Sequence, residues 1–218
     1  MRPFKSVLLS ALILLPAFSS VAGTGLSRPE EYASRAAVSM DDGRCSGTAI
    51  DSPKGNVVLT ASHCIHGEIT LVRFDGKIMA VSRVIADGND HSLIVVKGHT
   101  FRNTAEVGPR PPIGSSVFIF GNSMFEDFFR RGTVTGYHDD RWNPPNMDLG
   151  ISNWMVLDML VAPGDSGSGV FDDKGRVVGV ITGYAGIGPH TIAVALPFKF
   201  KHQDVVGLVA NPGPLIGK

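Results

Sequence analysis

Three short stretches carry the residue types of nucleophilic catalysis: "LTASHC" (59–64) with His63, "NDHSLIVV" (89–96) with Asp90, and "GDSGSG" (164–169) with Ser166. A serine hydroxyl is a weak nucleophile at neutral pH and needs a general base within hydrogen-bond reach. Histidine, with an ordinary pKa of about 6.5, is the natural acceptor of that proton. A buried carboxylate beside the imidazole fixes its tautomer and stabilises the imidazolium. Glycines around Ser166 let the backbone turn sharply and present N–H groups to a developing oxyanion. Each stretch alone has a plainer reading. Gly, Asp and Ser are ordinary turn residues, and a lone histidine at a strand end is more often structural. Their joint presence, in the order His, Asp, Ser, favours the catalytic reading. Asp87, which sits with Gly88 in a turn, is the competing candidate for the carboxylate.

These residues must be held by strands. Short β-prone runs recur between turn signals: 56–60, 69–74, 77–85, 92–96, 116–120, 131–137, 154–161, 176–183 and 190–196. Asp75-Gly76 and Lys174-Gly175 read as hairpin breaks. So many short strands, with no helical periods between them, indicate an all-β barrel or sandwich and not alternating βαβ units. One helix is expected, near the end, within "FKFKHQDVVGLV" (198–209), and Asn211-Pro212-Gly213 stops it. The polar, Pro/Gly-rich stretch 98–116 divides the strands into two sets of comparable size.

The segments "LTASHC", Asp90 before "HSLIVV", and "GDSGSG" resemble those of the chymotrypsin-like (trypsin-fold) serine proteases. Cys45 in "CSGTAI" and Cys64 match that family's disulfide beside the histidine. The short spacings, "FGNSMF" and "RGTVTG" before the serine, and "AVALPFKFK" after it are similar to the Deg/HtrA protease core and the glutamyl endopeptidases. Too few residues follow Ser166 for a PDZ module. The resemblance implies two antiparallel six-stranded β-barrels with a C-terminal helix and the site in the cleft between them. It implies Ser166 as nucleophile, His63 as acid–base, Asp90 as orienter and the N–H groups of Gly164 and Ser166 as the oxyanion hole. It also implies a specificity pocket with Leu160 at the floor, six positions before the nucleophile, and Thr182, Gly183 and Tyr184 along a wall. That pocket is expected to be apolar and rather small. Protein or peptide substrates follow, without metal or organic cofactor. Three departures stand out: Ser168 where many relatives have glycine, no Ile-Val-Gly-Gly activation sequence, and Ile181 where a glutamate-selecting histidine would be.

Two readings from other classes remain beside this one. An α/β-hydrolase esterase would need G-x-S-x-G with its acid and histidine after the serine, whereas Ser168 occupies the fifth position here. A catalytically weak or inactive protease homologue would act as a secreted binding module.

Composition sets the remaining bounds. Of 218 residues, 43% are hydrophobic and 18% charged, as in a globular protein. Formal net charge is zero, which offers no basic field for nucleic acid. Arg2 and Lys5 precede the apolar run Val7–Leu15 and the small residues "SSVAG", as in a cleaved signal peptide of residues 1–22. Its apolar run is too short and too interrupted, by Pro16, for a spanning helix, so no stable membrane insertion is expected after cleavage. The expected organisation is therefore a leader of 1–22, a first barrel in 23–110 with His63 and Asp90, and a second barrel in 111–218 with Ser166. The location would be secreted or periplasmic. In an exported protein, two cysteines favour one disulfide, Cys45–Cys64. A metal site from Cys64, His63 and His66 is the alternative, but these ligands are crowded along one stretch and no second group follows at zinc spacing.

Overall fold

Alternating burial along the strands fixes how they close. In β1 (Ala37–Met40) and β4 (Leu71–Phe74) every second residue points inward, whereas β3 (Val57–Ala61) and β6 (His91–Val96) are buried throughout. The structure is a computed structural model and describes residues 25–41, 43–123, 126–138, 154–187, 190–197 and 202–210. The expected leader 1–22 lies outside them.

With β2 (Cys45–Ile50) and β5 (Lys77–Ala86), these strands form a closed antiparallel barrel in the order β1-β2-β3-β6-β5-β4. A second closed barrel takes the order β10-β11-β12-β9-β8-β7. Its strands are β7 (Ser116–Ser123), β8 (Glu126–His138), β9 (Trp154–Asp158), β10 (Gly169–Phe171), β11 (Val177–Ile187) and β12 (His190–Pro197). This is the chymotrypsin-like architecture, two six-stranded antiparallel barrels. Closure joins the outer strands of each sheet to one another and so protects edges that would otherwise stand open.

The interiors are apolar. Met40, Ile50, Leu59, Phe74 and Ile94 fill the first barrel, and Ile119, Met155, Leu157 and Ile181 the second. The first core continues between the barrels through Phe118, Phe171, Val177 and Val180. Phe118 stacks on Phe171 with ring centroids 5.5 Å apart. The connection after β6 is stitched to both barrels, with Ala105 bridged to Ile50 and Val107 to Val177.

Two helices flank the barrels, and only the C-terminal one was expected. It is α2 (His202–Ala210), which overlaps the predicted span 198–209 and runs one residue past it; residues 198–201 lie outside the described ones. The other, α1 (Arg28–Ala36), corrects the expectation of a single helix. Its start follows the S-x-x-E pattern of a capping box, with the Ser27 N–H donating to Glu30 Oε2 at 2.7 Å and Pro29 in the first turn. Glu30 is buried and paired with Arg131 of β8, so α1 ties the start of the first barrel to the second.

Candidate active site

His63 lies in the single turn of 3-10 helix (Ser62–Cys64) that follows β3, at the end of a strand buried on both faces. Asp90 ends the β5–β6 loop with φ +58°, a left-handed conformation uncommon outside glycine. Its carboxylate grips His63 at two points. Oδ1 accepts the His63 backbone N–H at 2.8 Å, and Oδ2 stands 2.8 Å from Nδ1. The Ser62 N–H donates to the Asp90 carbonyl at 2.9 Å, and the Ser62 and Ser92 hydroxyls are 2.8 Å apart. Asp87, the other carboxylate considered, pairs with His91 instead, with Oδ2 at 2.7 Å from Nδ1. The side chains of Asp90 and His63 are 5% and 34% exposed, so the carboxylate is sequestered while the ring keeps an open edge.

Ser166 sits in the turn between β9 and β10, held against the first barrel through its backbone. Its carbonyl accepts the Ser46 N–H at 2.8 Å and lies 3.6 Å from Cys64 Sγ, one residue past His63. Cys45 and Cys64 form a disulfide that pins the His63 turn to the start of β2. Among the described residues, no hydrogen bond joins Ser166 Oγ to His63.

The turn around Ser166 leaves specific N–H groups uncommitted. Asp165, Gly167 and Ser168 donate to Ala162, Ile181 and Asp165 carbonyls. The N–H groups of Gly164 and Ser166 have no acceptor among the described residues. Gly164 has φ +100° and Gly167 φ +87°. A Cβ at Gly164 would collide with the Asn122 and Gly43 carbonyls, and one at Gly167 with Ser46 O and Thr60 Oγ1. Only glycine satisfies both the dihedral and the space at these two positions.

Beneath the turn lies a polar lattice. The Ser46 hydroxyl donates to the Gly164 carbonyl at 2.8 Å and accepts the Asn122 N–H at 3.0 Å. Thr48 Oγ1 accepts the Gly169 N–H at 3.1 Å. Asp165 is 0% exposed, and its Oδ2 accepts both the Ala162 N–H at 2.9 Å and Arg130 Nη1 at 2.8 Å. A fully buried carboxylate requires such pairing. Sequence reasoning did not find Ser46, Asn122 or Arg130. "FFRRG" has no pattern that marks Arg130, because its partner is set by the path of β8.

The expected specificity residues precede and follow this turn along the chain. Leu160 follows β9 and is 67% exposed. Thr182, Gly183 and Tyr184 lie on β11, which the Gly167 and Ile181 N–H groups tie to the serine turn at 2.8 and 2.9 Å. A register shift between Ile181 and Gly183 breaks the β11–β12 pairing at Thr182. Thr182 is buried and Tyr184 is 51% exposed. No cluster of three or more His, Cys, Asp or Glu side chains that could hold a metal occurs among the described residues.

Comparison with known proteins agrees with this architecture. The family described as "Trypsin-like peptidase domain" matches residues 45–180. No curated protein matches the sequence. Among solved structures, the inactive form of a serine-to-alanine mutant of Rv3671c from M. tuberculosis H37Rv superposes with a TM-score of 0.61 at 20% identity, covering 84% of this chain and 89% of that one. The inactive form of the Rv3671c protease gives a TM-score of 0.64 at 19% identity, covering 85% and 93%. The HtrA-type protease AlgW with a decapeptide gives 0.60 at 18%, covering 77% of this chain and 51% of AlgW.

Proposed function

Because the chain belongs to the trypsin-like peptidase family, we propose that it is an exported serine endopeptidase that works through an acyl-enzyme. The observation that carries this reading is the two-point grip of Asp90 on His63, beside a glycine-lined serine turn with two uncommitted N–H groups. Ser166 Oγ attacks the scissile carbonyl carbon while His63 Nε2 takes its proton. The carbonyl π electrons move onto oxygen, and the N–H groups of Gly164 and Ser166 receive that oxyanion. Asp90 holds Nδ1–H, so that Nε2 faces the serine, and it stabilises the imidazolium. Collapse of the intermediate breaks the C–N bond, and His63 returns the proton to the leaving amine. Water then attacks the acyl ester with His63 again as base, releasing the acid and restoring Ser166.

Ser166→Ala is expected to lower turnover by about 10⁴-fold or more with the fold intact. A fluorophosphonate should add to Ser166 in the native protein and to nothing in the variant. Unchanged hydrolysis by the purified variant would remove the assignment.

None of Leu160, Thr182, Gly183 and Tyr184 carries a charge. A specificity pocket built from them would have nothing to offset the desolvation of a basic side chain. Cleavage after Val, Ala or Leu is therefore expected in a peptide-library digest. A preference for Arg, Lys or Glu would refute the pocket and leave the triad standing. Export is supported by the basic-then-apolar N-terminus and by a disulfide, a bond that persists in oxidising compartments. No helix among the described residues is long and apolar enough to cross a membrane.

A further inference from the structure

A second aspartate–histidine pair stands directly behind the first. Asp87 opens the β5–β6 loop and His91 begins β6, so the pair brackets Gly88, Asn89 and Asp90. The Asp87 carboxylate takes three bonds. Oδ1 accepts the N–H groups of Asn89 at 2.7 Å and His91 at 3.1 Å, and Oδ2 faces His91 Nδ1 at 2.7 Å. The Asp87 N–H donates back to the His91 carbonyl at 3.1 Å. The side chains are 17% and 7% exposed, so this clamp is shielded from water. Burial pushes the Asp87 carboxyl up, but the His91 imidazole and the two N–H donors outweigh it and hold it below the usual carboxylate range.

The proposed mechanism makes no use of either residue. Both sit around Asp90, a non-glycine residue at φ +58° whose carboxylate must meet two donors on His63 at once. Left-handed backbone at such a residue persists only where its surroundings over-determine it. On one side the Ser62 N–H holds the Asp90 carbonyl, and on the other the Asp87–His91 clamp fixes the chain at residue 91.

We propose that Asp87 and His91 are positioning residues that hold Asp90 in the left-handed conformation from which it grips His63. This rests on the reading of His63, Asp90 and Ser166 as the catalytic set. Among the described residues, the titratable side chains His63, Asp90, Asp87 and His91 meet at this corner. Loss of the clamp lets Asp90 relax, and a carboxylate displaced by about 1 Å costs on the order of 10²-fold in rate.

The test is His91→Phe, which keeps a ring and removes the donor, beside His91→Asn, which returns an N–H near the position of Nδ1. His91→Phe should lower kcat by about 10- to 100-fold with KM unchanged, as expected when only transition-state stabilisation is lost. The acid limb of its kcat/KM profile should also move to lower pH, since a carboxylate further from His63 stabilises the imidazolium less. A partly unfolded enzyme would lose amplitude without moving that limb. His91→Asn should restore both. Proton NMR gives a readout independent of turnover. The native protein should show two low-field imidazole N–H resonances, His91→Asn should keep the one from His63, and His91→Phe should lose both. Native activity that depends on Ser166, with kcat and acid limb unchanged in His91→Phe, overturns the clamp and spares the catalytic reading. Retention of the His63 resonance in His91→Phe overturns the clamp as well. Native protein with no Ser166-dependent hydrolysis, but with the resonances behaving as expected, overturns the catalytic reading and keeps the clamp.

Discussion

Replacing Arg130 with leucine would leave Asp165 buried without its guanidinium. Asp165 is 0% exposed and Arg130 16%, so the pair is largely shielded from solvent. Removing one partner of a buried pair costs about 3–5 kcal/mol, chiefly because the other charge stays buried. The Ala162 N–H still donates to Asp165 Oδ2, which places the expectation near the lower figure, about 3 kcal/mol. Arg130 also lies over the Phe128 ring at 4.9 Å, and losing that contact adds about 0.5–1 kcal/mol. At about 2–4 °C per kcal/mol for a chain of this size, a loss of about 3.5–4 kcal/mol should lower Tm by about 7–16 °C. The double variant Arg130→Leu/Asp165→Asn removes the charge as well as its partner and should recover most of the loss. Urea unfolding of native, single and double variants closes the cycle. Turnover should fall with stability in the single variant, because Asp165 lies between Gly164 and Ser166. A single-variant loss below about 1 kcal/mol, or a double variant less stable than the single, would refute the argument that Asp165 depends on this cation.

Three further outcomes are expected. Reducing the disulfide, whose cysteines are 19 positions apart, should cost about 3 kcal/mol on the chain-entropy account and loosen the His63 turn; unchanged urea midpoints with and without reductant would contradict this. Burial raises Glu30, but the Ser27 N–H and Arg131 outweigh it, so both Glu30 and Asp87 titrate below the usual range. The native state then binds fewer protons than the unfolded one: the stabilisation is complete above about pH 4–5 and is lost as pH falls through the depressed values, and a Glu30→Gln/Asp87→Asn protein should show a shallower acid loss in urea titrations. Gly164→Ala should abolish activity and destabilise the fold, since its Cβ has no room against the Asn122 and Gly43 carbonyls; near-native hydrolysis would show the turn to be more yielding than its geometry implies.

Most strands were legible in the sequence because apolar β-prone residues between turn signals mark a strand that faces a core. The elements missed lack that mark for identifiable reasons. In β2, "CSGTAI" is small and polar yet buried, because it lies against the serine turn. Ser46 bonds Gly164, Thr48 bonds Gly169, and a side chain on Gly47 would strike Val58. β10 has three residues, too short for any period, and nine-residue α1 declared itself only through Ser27, Pro29 and Glu30. The predicted strand at 154–161 ends at Asp158, where the chain leaves the barrel and exposes Leu160.

The candidate site divides along the same line. His63, Asp90 and Ser166 could be picked out because the chemistry restricts their side chains to a few types, whatever the fold. The residues that hold them are restricted by position instead. Asp165 needs a cation, but any strand passing at the right height could supply it, and β8 does so only because its pairing with β7 brings Arg130 opposite Ile119. Ser46 and Thr48 donate and accept across the junction between barrels, a surface that exists only once both have closed. A serine turn on the second barrel, locked by hydroxyls of the first, also explains why the site requires both. The first barrel supplies His63, Asp90 and the donors that set the Gly164 and Ser166 carbonyls. Those bonds fix the backbone of the turn, and the N–H groups of Gly164 and Ser166 remain without an acceptor among the described residues, as the proposed oxyanion hole requires.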